Sequence, residues 1–195
     1  MKTKLFLLSV AVMGLATSCQ QKPESQPLAD EVQYVDPFIG TGFHGHTFPG
    51  ATRPYAMVQL SPDTHIMGWD ASSGYHYEDQ QIYGFSHTHL SGTGIGDLGD
   101  ILLLPFSGGD SIKPVATFKK ETEKSTPGYY AVRLENLGVN VELTSTDRVG
   151  FHRYTFDNPK DRRVMLDLGH VLQPNWGHKL VSNDYQLVND STVEG

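Results

Sequence analysis

The chain has 195 residues, a single cysteine and a formal net charge of −7 at pH 7. This length is enough for one domain with a hydrophobic core. The acidic balance and the lack of a basic run argue against nucleic acid as a partner. One cysteine excludes an intramolecular disulfide framework and a zinc site built from several thiolates.

The first 18 residues have the pattern of a lipoprotein signal peptide. Two lysines precede a short apolar run, and LATSC, which resembles a bacterial lipobox, ends at Cys19. We predict a signal peptide over 1–18, lipidation of Cys19 and a polar tether over 19–32. The alternative is a plain secretory signal in which Cys19 is incidental. The lipid would hold the protein at the bacterial cell envelope, on the periplasmic or outer surface, without crossing the membrane.

The next region, residues 31–110, is rich in glycine and holds six of the nine histidines. His44 with His46 and His87 with His89 have the spacing His-x-His, which places both rings on one side of an extended segment. Such a pair can bind a metal, but no third ligand stands at a characteristic spacing. Alternatively, these histidines hydrogen-bond to backbone carbonyls and support the loops.

Aromatic residues also lie in these loops, and they suggest a carbohydrate site. Such sites combine an aromatic face with acids and amides that bind hydroxyl groups. Trp69 beside Asp70 fits this combination, with Phe43, Tyr75 and Tyr77 nearby in the sequence. The alternative is that Trp69 is buried and anchors its loop.

The segment SGTGIGDLGD, residues 91–100, lacks the Gly-Lys-Ser/Thr of a phosphate loop and precedes no helical pattern. Asp97 and Asp100 are candidates for binding sugar hydroxyls or calcium, and equally for capping turns. A glycosidase acting alone would need two carboxyl groups at a set separation. Asp70, Glu78, Asp79, Asp97 and Asp100 are available, but the sequence cannot place any two across a bond. No Gly-x-Ser-x-Gly elbow is present.

The second half alternates apolar and polar residues in short runs over 128–137, 139–156, 162–169 and 178–195. Turn signals separate these runs, which is typical of antiparallel strands. No stretch of the mature chain has a sustained helical period. We predict an all-β domain over 33–195, an antiparallel β-sandwich to which the first half adds long glycine-rich loops. The last run has a turn at Asn189–Asp190 followed by the opening of a partner strand, so we expect the domain to be incomplete at its C-terminus.

Three segments are familiar: YVDPFIGTGFHGHTFPGATRPYAMVQLSPDT, SGYHYEDQQIYGFSHTHLSGTGIGDLGDILLLP and STPGYYAVRL. Together they resemble the N-terminal domain of glycoside hydrolase family 92, and the resemblance extends from Tyr34 to Gly195. This family consists of exo-acting α-mannosidases, which are often bacterial lipoproteins. The resemblance implies a β-sandwich that packs, in the family, on a C-terminal (α/α)6 barrel, with the active site between them. We expect that barrel to lie outside this chain.

The resemblance also implies a calcium-dependent reaction that inverts the anomeric centre. Calcium would contact the 2- and 3-hydroxyls of mannose, a glutamic acid would protonate the leaving oxygen and an aspartate would activate water. In the family these two carboxyl groups and most calcium ligands belong to the barrel. This chain would therefore supply no catalytic residue and no metal site.

The matching positions imply six sugar-binding or loop-supporting residues. They are Phe43, His44, Trp69, Asp70, His87 and His89. Two positions depart from the family pattern: Ser72 stands where many members have cysteine, and Phe43 where glycine is common. The first departure puts the linkage preference in doubt, and the second either narrows the pocket or adds a stacking face.

The leading hypothesis is the sugar-binding and interdomain part of an α-mannosidase acting on mannose-containing glycans such as N-glycans. It would be inactive without its barrel partner, supplied in cis or in trans. One alternative is a surface lipoprotein that binds glycans by itself. Another is a hydrolase with a histidine-bound metal, which tight zinc binding by His87, His89 and a third ligand would support.

Overall fold

The computed structural model describes residues 30–92 and 94–195. The predicted signal peptide, Cys19 and nearly all of the predicted tether lie outside these residues. Within the described part there is no α-helix, and none of its helical turns could span a membrane. Its short 3₁₀ turns are Asp30–Tyr34, Trp69–Ser73, Lys120–Thr122 and Pro174–Trp176. Residues Gln33–Gly195 form one compact unit.

The larger sheet contains five antiparallel strands, most of them from the first half of the chain. They are β1 (Ala51–Thr52), β2 (Gln59–Asp63), β4 (Gly84–Ser86), β5 (Leu102–Phe106) and β11 (Arg163–Asp167). Their order in the sheet is β1-β2-β4-β5-β11. β11 lies within the predicted run 162–169. β1, β2, β4 and β5 stand between the long loops predicted for the first half, and the sequence did not predict them as strands. These strands are short, and Pro62 and Pro105 interrupt their pattern, so the alternation that reveals a strand is weak.

The second sheet comes entirely from the second half and has the order β10-β9-β8-β7. Its strands are β7 (Lys124–Thr126), β8 (Tyr129–Leu134), β9 (Val139–Ser145) and β10 (Gly150–Phe156). In β8 and β9 every second residue is buried, as the alternating sequence predicts. A separate two-stranded ladder joins β3 (Gln81–Ile82) to β6 (Ala116–Thr117).

One apolar core connects the two sheets. Leu60, Phe85 and Leu104 project into it from the larger sheet and are fully buried. The second sheet contributes Tyr130 and Leu143, which are buried to the same degree. Each such side chain stabilises the fold by roughly 1.5–3 kcal/mol relative to an exposed one. The predicted antiparallel β-sandwich is confirmed.

The predicted hairpin at the end of the chain is also present. It consists of β12 (Gln186–Asn189) and β13 (Thr192–Glu194), joined at the predicted turn. The two strands pair with each other, and all their residues are exposed.

Candidate functional site

Four of the six predicted site residues form one group, which two loops bring together. The Nδ1 atom of His44 lies 2.6 Å from Oδ1 of Asp70. The His44 ring centroid lies 5.1 Å from that of Trp69 and 4.1 Å from that of Phe43. The sequence separates these loops by 26 positions, and the sandwich places them side by side.

The aromatic faces of this group are open to solvent. Phe43 is 76% exposed and Trp69 is 52% exposed. The alternative of a buried, loop-anchoring Trp69 is therefore wrong. The hydrogen bond from His44 lowers the pKa of Asp70. The group thus combines two aromatic faces with an ionised carboxylate, which are the parts that a sugar ring and its hydroxyls require.

His46 belongs to the same group, although the sequence did not single it out as a sugar-binding residue. Its ring packs edge-on against Trp69 at 4.3 Å, and its Nε2 atom lies 3.5 Å from Oδ1 of Asp70. This nitrogen is buried and, apart from this long contact with Asp70, makes no hydrogen bond among the described residues. A buried polar atom without a partner requires an explanation, and a ligand hydroxyl beside Asp70 would provide one. The His-x-His spacing with His44 was the signal that could have found it.

The backbone of this loop is strained at two residues. Phe43 and His46 have φ angles of 52° and 54°, in the left-handed region that glycine adopts most easily. A left-handed φ at Phe43 fits the glycine that the family resemblance implies at this position. Here the phenyl ring adds an exposed face next to His44. Such strain is found more often at functional sites than elsewhere.

Ser72, the other departure from the family pattern, does not face the open surface. It is 1% exposed, and its hydroxyl donates a hydrogen bond to the carbonyl oxygen of Trp69. The residue at this position therefore acts on the loop that carries Trp69 and not directly on a bound ligand.

His89 is buried in a charged cluster apart from the exposed group. Its Nδ1 faces the carbonyl oxygen of Gln59 at 2.7 Å, and its Nε2 lies 2.7 Å from Oδ1 of Asp63. His170 donates from Nε2 to Oδ2 of the same carboxylate at 2.9 Å. Burial alone would raise the pKa of Asp63, but the charge of His89 and the hydrogen bonds from both histidines lower it to about 2. These contacts match the loop-supporting interpretation of His89.

His87 points to a different set of neighbours. Its Nδ1 donates to the carbonyl oxygen of Ile101 at 2.7 Å, and its Nε2 lies 3.1 Å from Nε2 of His152. The hydroxyl of Tyr154 lies 2.7 Å from Nδ1 of His152. Burial, together with repulsion from His87, lowers the pKa of His152 to about 3, and burial also lowers that of His87. The sugar-binding role of His87 and His89 stays a prediction.

The other candidate carboxylates make local contacts. Asp97 accepts a hydrogen bond from the backbone of Leu98, and Asp100 accepts one from the hydroxyl of Thr88. These bonds fit the turn-capping alternative for both residues. Glu78 pairs with His76, and Asp79 pairs with His65.

Metal ligands do not converge in the part of the chain that the structure covers. In residues 30–92 and 94–195 no group of three or more His, Cys, Asp or Glu side chains could hold a metal ion. Calcium takes six to eight oxygen ligands, and Asp70, the carboxylate of the exposed group, is bonded to His44. The described residues alone therefore do not fit a calcium ion.

Comparison with known proteins places these features in one family. A sequence model described as the glycosyl hydrolase family 92 N-terminal domain matches residues 34–195. An uncharacterized secreted glycosidase from Arthroderma benhamiae is 32% identical over 176 residues, which cover 82% of this chain and 22% of that protein.

Solved structures agree. A family GH92 α-mannosidase from Bacteroides thetaiotaomicron, in complex with mannoimidazole, has a TM-score of 0.75 and 38% identity, covering 83% of this chain and 22% of its own. A family GH92 inverting mannosidase from the same species has a TM-score of 0.59 and 27% identity, covering 72% of this chain and 20% of its own. This chain thus spans about one fifth of the length of these relatives. The family model covers the whole sandwich and every residue of the exposed group, and the chain belongs to glycosyl hydrolase family 92 as its N-terminal domain.

Proposed function

We propose that this chain forms the sugar-binding wall of an α-mannosidase that acts on mannose-containing glycans. The observation that carries the proposal is the exposed group of Phe43, His44, Trp69 and Asp70. An aromatic face stacks on the apolar side of a pyranose, and an ionised carboxylate accepts hydrogen bonds from its hydroxyls. The relatives solved as mannosidases support mannose as the sugar.

The residues of this chain would bind and orient the sugar and would not carry out the chemistry. Hydrolysis of a glycoside requires two carboxyl groups on opposite sides of the scissile bond. Asp70, the carboxylate of the exposed group, is ionised and hydrogen-bonded to His44. It is therefore suited to accept a hydrogen bond from a sugar hydroxyl and not to donate a proton to the leaving oxygen. We therefore place the catalytic acid and base, and the calcium ligands, in the barrel domain of the complete enzyme. Calcium would supply polarisation of the mannose hydroxyls there.

The proposal extends to where the protein works. The relative from Arthroderma benhamiae is described as secreted, which supports an extracytoplasmic location. Lipidation of Cys19 would then hold the domain at the surface of the bacterial envelope. Radiolabelled palmitate incorporated into the wild-type protein, but not into a Cys19→Ala variant, would support the anchor. Equal labelling of both would contradict it.

The test of the proposal has two parts. First, the purified mature chain is given an aryl α-mannoside with calcium and then with a chelator, and we expect no turnover in either case. Second, methyl α-mannoside is titrated into the wild-type chain and into Trp69→Ala and Asp70→Asn variants. Loss of one good stacking or charged hydrogen-bonding contact should weaken binding about tenfold.

The chain offers a matched control for this titration. Trp176 is 45% exposed and is the second of the two tryptophans. A Trp176→Ala variant should bind methyl α-mannoside as the wild type does. Calcium-dependent turnover by the chain alone would overturn the assignment of the catalytic groups, and equal binding by the Trp69 and Trp176 variants would overturn the site. No structural observation favours a histidine-bound metal, since the described residues hold no cluster of three metal ligands.

A further inference from the structure

Gln173 lies far from the exposed group in the sequence, yet its side chain forms hydrogen bonds with Gly68, the residue that precedes Trp69. It is fully buried. The backbone N–H of Gly68 donates to its Oε1 atom at 3.0 Å, and its Nε2 donates to the carbonyl oxygen of Gly68. One amide side chain thus satisfies both backbone groups of a residue 105 positions away.

The same residue touches two further backbone segments. Its N–H donates to the carbonyl oxygen of Ile66 at 2.9 Å. A Cβ atom on Gly96 would lie 2.2 Å from Cγ of Gln173, so the glycine-rich loop packs directly on this side chain. That loop also approaches the site, because a Cβ on Gly94 would lie 3.0 Å from Nε1 of Trp69. Gln173 therefore lies between the two loops that flank Trp69.

Two backbone conformations show that this arrangement is specific. Gln173 has a φ of 57°, and any residue other than glycine adopts this backbone conformation at a cost in free energy. Gly68 has φ 92° and ψ 166°, a conformation that is essentially restricted to glycine. Gly68 cannot be stabilised by its own side chain, so its orientation depends on the groups that bond its backbone.

We propose that Gln173 is a positioning residue that sets the orientation of Trp69 and Asp70 for sugar binding. It does not touch the ligand. By fixing Gly68 it fixes the start of the turn from which Trp69 and Asp70 project, and through Gly96 it limits the approach of the neighbouring loop. The inference rests on the proposed function only for the identity of the ligand, a mannoside.

The variant that tests the idea is Gln173→Met. Methionine has nearly the same length and keeps the packing against Gly96, but it removes both bonds to Gly68. The matched control is Asn136→Leu. The Asn136 amide accepts a hydrogen bond from the N–H of Thr117 at 2.8 Å and donates one to the carbonyl oxygen of Val115 at 2.9 Å. It therefore makes a similar pair of hydrogen bonds to the backbone elsewhere in the fold.

Two measurements are made on the full chain. The first is the NMR signal of the Trp69 indole N–H without ligand, assigned by its loss in Trp69→Phe. The second is the affinity for methyl α-mannoside. We expect Gln173→Met to move the Trp69 signal and to weaken binding about tenfold. Asn136→Leu should change neither.

The outcomes separate this inference from the proposed function. If the wild type does not bind methyl α-mannoside, the sugar-binding role of the chain alone fails, and the Trp69 signal still decides the positioning role. An unmoved signal with unchanged affinity in Gln173→Met overturns the inference. If that variant does not fold, Gln173→Glu replaces it, since it keeps the bond from Gly68 N–H and loses the other. A Trp69 signal and an affinity that match the wild type in Gln173→Glu also overturn the inference.

Discussion

His87 and His89 stand two residues apart in SHTHL, and the fold gives them opposite electrostatic surroundings. His89 and His170 face the buried carboxylate of Asp63. His87 instead faces a second imidazole, that of His152, and among the described residues no carboxylate forms a hydrogen bond with either ring. We call Asp63, His89 and His170 the charged centre, because Asp63 is an ionised carboxylate. We call His87 and His152 the neutral centre, because burial lowers the pKa of both rings. The comparison shows that residue type and spacing do not determine the electrostatic surroundings of a histidine, whereas its long-range partners do.

Removing the carboxylate should break the charged centre. We expect Asp63→Asn to lower the free energy of unfolding by about 3–5 kcal/mol, because it leaves buried histidines without their counter-charge. Urea denaturation at neutral pH measures this loss. The control is Asp157→Asn, which removes an exposed partner of Arg133 and should cost far less, because solvent screens an exposed ion pair. Equal losses in the two variants would show that the buried cluster has no special role.

A smaller change tests how tightly the charged centre is packed. Gly74 has φ 78°, and a Cβ there would lie 2.4 Å from Oδ1 of Asp63. Gly128 has almost the same φ, 77°, with open space around it. Gly74→Ala should therefore destabilise the protein by about 1–3 kcal/mol more than Gly128→Ala, as overpacking does. The two variants share the backbone strain, so the difference in their urea midpoints measures the steric contact. Equal midpoints would mean that Asp63 moves away without cost.

The two centres also mark what the sequence could and could not predict. The alternation in β8 and β9 is a local property, and it correctly predicted strands of a sandwich. The choice of His44 and Asp70 as site residues followed from a family resemblance over whole loops, and their hydrogen bond became visible only in the structure. In contrast, the partners of His89 and His87 lie 26 and 65 positions away, and no local pattern encodes such contacts.

The same limit applies to the residues that the sequence analysis missed. Gln173 precedes the turn Pro174–Trp176, and its role depends on Gly68, which lies 105 positions away and comes close only in the folded chain. The short strands β1, β2 and β4 were also missed, because they are stabilised by burial on both faces and not by an alternating pattern. Residues that act through distant backbone groups leave little signal in one sequence.

The neutral centre should be visible in the dependence of stability on pH. The folded-state pKa of His152 is lowered from 6.5 to about 3, so the unfolded chain binds a proton more readily between these values. Stability should therefore decrease as the pH falls from about 6.5 towards 3, by at most about 1.4 kcal/mol per pH unit from this group. The charged centre behaves differently. The pKa of Asp63 is lowered from 3.8 to about 2, so its contribution is complete above pH 4 and is lost only as the pH falls towards 2.

A His152→Gln variant separates the two contributions. Glutamine cannot be protonated in this range, so the slope between pH 6.5 and pH 4.5 should become shallower, while the loss below pH 4 should remain. Urea denaturation across this range provides the measurement, and His178→Gln, which alters a half-buried histidine bonded to the carbonyl oxygen of Leu172, serves as the control. An unchanged slope in His152→Gln would mean that the two rings do not resist protonation in the folded state. The contrast between His87 and His89 would then lie only in the geometry of their contacts. An electrostatic difference requires that His152 stays neutral at a pH at which Asp63 is ionised.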